Sequence, residues 1–312
     1  MAVRADEIRV GGGRPLTTRV RGWLDRESVL GPVFVTPALL LLVLLVAYPF
    51  LMALYFAMSN AFIGRPSEFI GFRNFIRLWE ADAFRQTFQN AFVFTGIAVA
   101  FKVVLGIILA LLLNEQLWFK RLIRGAVLLP WVIPTALSTL GWWWMFNSLH
   151  SVVNWTGIAL GVMDPPGPNW LGQKYYAMAA VITVNVWRGL PFFAITILAA
   201  LVAIPKEIYE AAHADGAGAG ARFWYITLPL LKPVIVFCAV LSIIGTMQLF
   251  TEPFLITERG GPGGGTETLG LLLYRQGFRS LNFGYASAVA YTMAALAIAI
   301  TLVQLWLTRE PK

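Results

Sequence analysis

The hydrophobic and polar positions divide the chain into six long apolar segments separated by shorter polar ones. Each apolar segment is long enough to cross about 30 Å of hydrocarbon as a helix, whereas the strands of outer-membrane barrels show alternating segments of roughly ten residues. The pattern therefore predicts an all-α integral membrane protein with six transmembrane helices. The predicted spans are residues 33–58, 89–113, 125–146, 176–203, 233–256 and 284–307.

The polar segments predict the domain organisation and the orientation in the membrane. They comprise an N-terminal tail over 1–32, a loop over 204–232 and a C-terminal tail over 308–312, with the transmembrane domain over 33–307. If the N-terminus is inside, the inner segments carry fourteen lysines and arginines and the outer segments carry eight. Because cytoplasmic loops are enriched in these residues, both termini and the 204–232 loop are expected in the cytoplasm.

Composition supports the membrane assignment and excludes other classes. With 58% hydrophobic and 13% charged residues, the chain has too little polar surface to cover a water-soluble globule. The net charge of +8 is spread over loops and forms no basic face, which argues against nucleic-acid binding. Cys238 is the only cysteine, and His150 and His213 lie in different segments, so we expect no disulfide and no metal site.

Among the prolines of the apolar segments, three predict distorted helices. Pro49 lies in the first span, and Pro130 and Pro134 lie in the third. Each lacks the backbone N–H that a helix needs at that position, so kinks are expected there.

The loop between the fourth and fifth spans has the features of a folded element. Pro205 suits the first turn of a helix, and Gly216 tolerates the positive φ at which helices end. We predict a short helix, a turn and a second short helix that stops before Pro229. Glu210 offers a charge to a basic partner, and the alanines and glycines permit close approach. These residues alone leave two interpretations: a docking site for another protein, or a loop packed against the bundle.

The loop also resembles the EAA motif of ABC importer permeases, which reads Glu-Ala-Ala, three residues, Gly, nine residues, Ile, one residue, Leu-Pro. The matching positions are Glu210, Ala211, Ala212, Gly216, Ile226, Leu228 and Pro229. Asp215 and Ala217 complete the fuller form found in the carbohydrate-uptake branch, similar to the first permease subunit of maltose and glycerol-phosphate systems. The segment 257–263 resembles that branch's external Thr-x-Gly-Gly-Pro turn, and 69–75 resembles its first external loop.

The resemblance implies an ABC type I importer permease of the bacterial inner membrane, with a cytoplasmic coupling helix in the 204–232 loop. The implied partners are a second related permease subunit, two copies of an ABC ATPase subunit and an extracytoplasmic substrate-binding protein. The chain has no phosphate-binding Gly-x-x-x-x-Gly-Lys-Ser/Thr motif, so ATP and Mg²⁺ are expected on the ATPase chains and no catalytic residue or cofactor here. The implied function is uptake of a sugar or sugar derivative by alternating access. The ATPase-coupling residues are Glu210, Ala211, Ala212, Asp215, Gly216, Ala217, Ile226, Leu228 and Pro229.

A polar residue within a span costs free energy in lipid, so such residues mark candidate transport paths. In the fourth span, several lie at spacings of three, four and seven, which places them on one helical face; the fifth span repeats that spacing. The alternative interpretation is interhelical packing, which also favours small and hydroxyl residues. The substrate-path candidates are Asn185, Arg188, Gly189, Phe192, Ser242, Thr246, Gln248 and Leu249.

Arg188 bears on the charge of the substrate, because an arginine near mid-span needs a partner. The partner is either an anionic solute, such as a glycerol phosphate or uronate, or a fixed carboxylate, which is Glu252 or one on the partner permease. Lys102 in the second span raises the same question. Two other classes of membrane protein fit the sequence less well. The docking loop argues against an ion-coupled secondary transporter, and a membrane enzyme needs a surface cluster of acids, histidines or a nucleophile that the sequence does not show.

Overall fold

The structure is a computed structural model that describes residues 27–115, 118–147, 151–258 and 260–307. The predicted C-terminal tail and residues 1–26 of the predicted N-terminal tail lie outside these ranges. The described chain is almost entirely helical. Its β-structure consists of two isolated bridges, Ser59 with Phe69 and Phe62 with Asn282.

The chain divides into two compact units, residues 1–55 and 56–312. In the first unit, α1 (Glu27–Leu42) continues through a π-helical turn, Val43–Ala47, into α2 (Tyr48–Ala57). The result is an apolar helix over Leu30–Ala57, where the first span is predicted. Pro49 lies at the start of α2, directly after the π-helical turn, and wide turns of this kind accommodate a missing backbone donor.

The second unit contains the remaining elements. In chain order they are α3 (Arg73–Glu80), α4 (Asp82–Asn114), α5 (Lys120–Val132), α6 (Thr135–Phe146), α7 (Val152–Ala159), α8 (Lys174–Val202), α9 (Lys206–Ala214), α10 (Ala219–Arg222), α11 (Leu228–Met247), α12 (Thr251–Ile256), α13 (Leu269–Tyr274) and α14 (Phe283–Leu307).

Four helical runs in the described part of this unit are long and apolar enough to span a membrane: α4, α8, the run Ala219–Met247 that contains α11, and α14. They lie where the second, fourth, fifth and sixth spans are predicted. The helix α8 is central, because more than half of its most apolar stretch is buried. It packs along α4 and also contacts α5, α11 and α12.

The third predicted span is broken in the structure. Its two halves, α5 and α6, meet at an angle of 90°. Ile133 precedes Pro134 and is extended, with φ −64° and ψ 131°, because the proline ring disfavours helical geometry at the preceding residue. Pro130, by contrast, lies inside α5 without breaking it. Pro134 therefore terminates a helix where sequence analysis predicted a kink.

The fifth span begins earlier than predicted. The expectation that the second short helix of the loop stops before Pro229 is wrong, because Ala219–Met247 forms one helical run. A π-helical turn over Phe223–Thr227 precedes the proline, and this wider turn accommodates the ring and the missing donor without a break. The run ends at Met247, and the last residues of the predicted span form the separate short helix α12.

Close contact between α4 and α8 requires a glycine. A Cβ atom built on Gly106 would lie 2.6 Å from the Cβ atom of Phe193. Small residues of this kind let helix backbones approach in membranes, where lipid gives no hydrophobic drive for association. Phe193, Ile197 and Leu198 of α8 pack there in a buried cluster with α4 and α11.

Candidate substrate cavity and coupling loop

A cavity of about 240 Å³ lies between α4, α5, α8, α11 and the start of α12. Among the predicted path residues, six line it: Asn185, Arg188, Gly189, Ser242, Thr246 and Leu249. The structure adds four lining residues that were not among those candidates: Lys102, Trp131, Gly245 and Glu252. The two polar stripes predicted on the fourth and fifth spans thus line one cavity.

Two predicted path residues lie elsewhere. Phe192 packs against the buried cluster around Phe193, with the two rings at 87° to each other. Gln248 lines a separate void of about 10 Å³ near α13 and α14. Phe192 lies about 10 Å from Asn185 along the axis of α8 and so falls beyond the end of the cavity, and the helical run ends at Met247 before Gln248.

Arg188 is held by fixed protein groups at the break in the third span. Its Nη1 donates to the carbonyl oxygen of Ile133 at 3.2 Å and to Oγ of Ser138 at 2.7 Å. Its Nη2 donates to Oγ1 of Thr135 at 2.7 Å. Its Nε lies 3.7 Å from Oε1 of Glu252. The guanidinium thus joins α8 to both sides of the bend and to α12. Of the two kinds of partner expected for Arg188, the structure has fixed protein groups.

Glu252 is the carboxylate of the cavity wall. It is 3% exposed and lies at the start of α12, where the helix dipole favours a negative charge. One of its oxygens pairs with Arg188, and the other, Oε2, has no hydrogen-bond partner within the described residues. The buried Oδ1 of Asn185 likewise has no partner there. The cavity wall therefore retains unused polar capacity.

Lys102 reaches the same cavity from α4. Its side chain is 4% exposed, and its Nζ donates to Oγ of Ser242 at 3.0 Å and to Oγ1 of Thr246 at 3.5 Å. Gly189 makes room for it, since a Cβ atom at that position would lie 2.6 Å from Cε of the lysine. The signal for Lys102 in the sequence is its charge, because charged residues within spans are rare and mark functional sites.

The turn after α12 is tied to the N-terminal part of α4. Oγ1 of Thr257 and Oγ1 of Thr266 are 2.6 Å apart, and Nδ2 of Asn90 donates to the carbonyl oxygen of Gly264 at 2.8 Å. Glu267 follows this turn and pairs with Arg275 at 3.0 Å. Burial raises the pKa of the Glu267 carboxyl above its ordinary value, while the nearby Arg275 opposes that shift.

The loop between α8 and α11 ends its first helix with defined geometry. After α9, the N–H of Gly216 donates to the carbonyl of His213 at 3.0 Å, and the N–H of Ala217 donates to that of Ala212 at 2.9 Å. Gly216 has φ +82°, so these bonds form a Schellman motif with the glycine at its left-handed position. The hydroxyl of Tyr209 contacts Oγ1 of Thr227 at 3.0 Å and ties α9 to the helix that follows.

The predicted coupling residues lie on or beside this loop surface. Glu210, Ala211, Asp215, Gly216 and Pro229 are exposed, and Ala212, Ala217, Ile226 and Leu228 are half-buried. Within the described residues Glu210 forms no ion pair. Two large aromatic side chains near them are also exposed, Trp224 by 63% and Tyr225 by 83%. The loop thus presents a free carboxylate and an uncovered aromatic surface.

A helical bundle that spans a membrane, encloses a charged cavity and carries an ordered polar loop defines a multi-pass membrane transport protein. Residues 102–311 match the family described as the binding-protein-dependent transport system inner membrane component. The chain belongs to this family and is the permease component of an ABC importer.

Similar proteins share nearly the full length of the chain. It is 36% identical over 310 residues to the sulfoquinovosyl glycerol transport system permease protein SmoG of Agrobacterium fabrum, covering 98% of this chain and 97% of that protein. It is 34% identical over 281 residues to the trehalose/maltose permease protein MalF of Thermococcus litoralis, covering 90% and 94%. It is 36% identical over 301 residues to the lactose permease protein LacF of Rhizobium radiobacter, covering 95% and 100%.

The fold is also similar to that of a solved transporter chain. A chain from the crystal structure of a bacterial alginate ABC transporter, in complex with alginate pentasaccharide-bound periplasmic protein, matches with a TM-score of 0.76. The sequence identity is 22%, and the match covers 95% of this chain and 98% of that one. This likeness supports the type I importer permease fold.

Proposed function

We propose that this permease carries a sugar or sugar derivative across the bacterial inner membrane, driven by ATP hydrolysis on separate subunits. The observation that carries the proposal is the cavity itself, whose wall combines an indole ring at Trp131, an amide at Asn185 and hydroxyls at Ser242 and Thr246. Small-molecule sites commonly combine such aromatic surface with a few placed polar groups. The named solutes of the similar permeases, including lactose, trehalose and maltose, agree with this assignment.

The 204–232 loop is the proposed docking site for the ATPase subunit. Its exposed Glu210 would pair with a basic residue of the ATPase, and Trp224 and Tyr225 would be covered on assembly. The Schellman motif at Gly216 would hold α9 at a constant angle to the following helix, so that a push on the loop is transmitted into α11. Rigid-body motions of packed helices are a common means of switching between two states.

The proposed assembly contains this chain, a second related permease, two copies of an ABC ATPase and an extracytoplasmic binding protein. The family description names dependence on a binding protein. The excess of lysine and arginine in the predicted inner segments supports the orientation with both termini in the cytoplasm. Closure of the two ATPases on ATP would then move two coupling loops together and change the side from which the cavity is accessible.

A charge reversal on the coupling helix tests this function. In proteoliposomes that contain the whole transporter and its binding protein, we expect Glu210→Lys to reduce ATP-driven uptake of radiolabelled sugar by at least tenfold, with co-purification of the ATPase reduced as well. The control is Glu207→Lys, which changes an exposed glutamate on the same short helix. A panel of lactose, trehalose, maltose and glucuronate serves as the set of probes. Sugar uptake by the wild-type bundle without any ATPase would contradict the proposal.

A further inference from the structure

The charges that line the cavity do not balance. Two cations, Lys102 and Arg188, and one carboxylate, Glu252, are its charged lining residues within the described chain. With all three ionised, the wall carries one excess positive charge. A charge inside a membrane protein is costly unless it is paired or hydrated, so an uncompensated one is a functional candidate.

Arg188 and Glu252 compensate each other, and this leaves Lys102 as the excess cation. The guanidinium has three hydrogen bonds to fixed acceptors in addition to its contact with Glu252. Glu252 also attracts Lys102 electrostatically, yet no carboxylate oxygen of the described residues lies within 4.0 Å of the ammonium. The only hydrogen-bond acceptors of Lys102 in the described chain are two neutral hydroxyls.

The position of the ammonium is specified by its surroundings. Lys102 lies well inside the 33-residue helix α4, and its side chain crosses the backbone of α8 at Gly189. A Cβ atom on that glycine would lie 2.6 to 3.1 Å from Cε, Cδ and Nζ of the lysine, so any larger residue there would make the lysine side chain shift. The lysine is therefore held at the cavity wall. A lysine elsewhere on the helix could instead extend its long side chain toward the membrane–water interface.

We propose that Lys102 binds the negatively charged group of an anionic sugar derivative, so that the transported substrate is a sugar carrying a carboxylate, sulfonate or phosphate. This inference rests on the proposed function as a sugar permease. The ammonium is a compact point charge that suits any of these three anions. The ring of the sugar would lie against Trp131, and its hydroxyls would face the polar side chains of Asn185, Ser242 and Thr246 that line the cavity.

A set of hexoses that differ only at C6 tests the proposal. The probes are glucose, glucuronate, glucose 6-phosphate and 6-deoxy-6-sulfoglucose, and their binding to the whole transporter in lipid nanodiscs is measured by calorimetry without the binding protein. We expect at least one anionic probe to bind tenfold or more tightly than glucose. Lys102→Met, of similar length, should abolish that preference, and Lys102→Arg should retain part of it. The preference should survive in the control Lys120→Met, whose lysine contacts only the carbonyl of Asn114 in the described chain.

A second variant moves the ammonium group of Lys102 without removing it. Gly189→Ala should displace the lysine side chain and reduce the anion preference at least threefold, whereas Gly96→Ala on α4, which has open space around it, should not. The inference is overturned if glucose binds as tightly as the best anionic probe, if none of the anionic probes binds, or if Lys102→Met keeps the preference. Those results leave ATP-driven uptake of a neutral sugar intact, whereas loss of the proposed function would appear as no ATP-driven sugar uptake by the wild type.

Discussion

At the residue scale, one arginine connects three separate parts of the bundle. Arg188 uses its planar set of donors to reach a freed backbone carbonyl, two hydroxyls and a carboxylate, and a lysine could not do this because it lacks that fork. The sequence showed that the residue needed a partner, and Glu252 was one of the two alternatives. It could not show the contacts with Ile133, Thr135 and Ser138, which depend on a bend that brings the two halves of a span against α8.

We predict that losing only Arg188 from the Arg188–Glu252 pair destabilises the protein more than losing the charges of both residues. Arg188→Met should destabilise the protein by about 3–5 kcal/mol, because it leaves a buried carboxylate unpaired. Adding Glu252→Gln should restore a large part of that loss. Unfolding in mixed detergent micelles measures each member of the cycle. Arg85→Met is the control, since its exposed pair with Asp82 should contribute less than about 1 kcal/mol. Additive losses in the double variant would contradict the prediction.

At the element scale, glycines decide where helices meet and end. Positive φ at Gly216 was expected from the helix-end pattern, and the structure has φ +82° there. The close approach of Gly106 to Phe193 was not predicted, because the residues belong to different helices and a single sequence does not show which faces pack together. Local backbone geometry can thus be predicted from the sequence, while contacts between helices cannot.

We predict that Gly216→Val disturbs the coupling loop far more than Gly218→Val does. Gly216 has φ +82°, where a side chain costs about 1–2 kcal/mol, whereas Gly218 has φ −69° and no neighbouring atom within 4 Å of a virtual Cβ. Co-purification of the ATPase with the permease should fall several-fold in the first variant and stay near wild type in the second. Equal retention of the ATPase by both variants would show that the Schellman geometry is not needed for docking.

Gly106→Ala should destabilise the contact between α4 and α8. The added methyl group would lie 2.6 Å from Cβ of Phe193, an atom that cannot move away without the helix backbone, so a loss of about 1–3 kcal/mol is expected. Gly96→Ala on the same helix meets nothing within 4 Å and should be neutral or slightly stabilising. Detergent unfolding compares the two variants. A Gly106→Ala protein as stable as wild type would indicate that the helices separate at no cost.

At the scale of the whole molecule, we predict that stability depends on pH through the turn after α12, which Glu267 follows. Because burial raises the pKa of Glu267, its stabilising contribution is complete below its ordinary pKa of about 4.5 and is lost as pH rises through the raised value. The free energy of unfolding of the wild type should therefore fall relative to that of Glu267→Gln as pH rises from 4 to 7. Glu258→Gln removes an exposed acid of the same region and is the control.

The sequence by itself determined the class of the molecule, because long apolar segments can be satisfied in lipid only as helices, and because a spaced motif in one loop is a local property. The all-helical membrane fold and the importer family are confirmed. The coupling role of the 204–232 loop stays a prediction. Tertiary structure decided the break at Pro134, the continuous helix through Pro229, and which polar residues share a cavity.

The reason for this division is physical. Hydropathy and turn geometry act between neighbours in the chain, whereas the partners of Arg188 and Lys102 lie 50 to 144 positions away. Phe192 matched the predicted stripe by sequence spacing and Gln248 lies beside the second stripe, yet packing places both in other surroundings. The cavity exists only where α4, α5, α8, α11 and α12 meet, and its excess of positive charge becomes visible only when residues from α4, α8 and α12 are counted together.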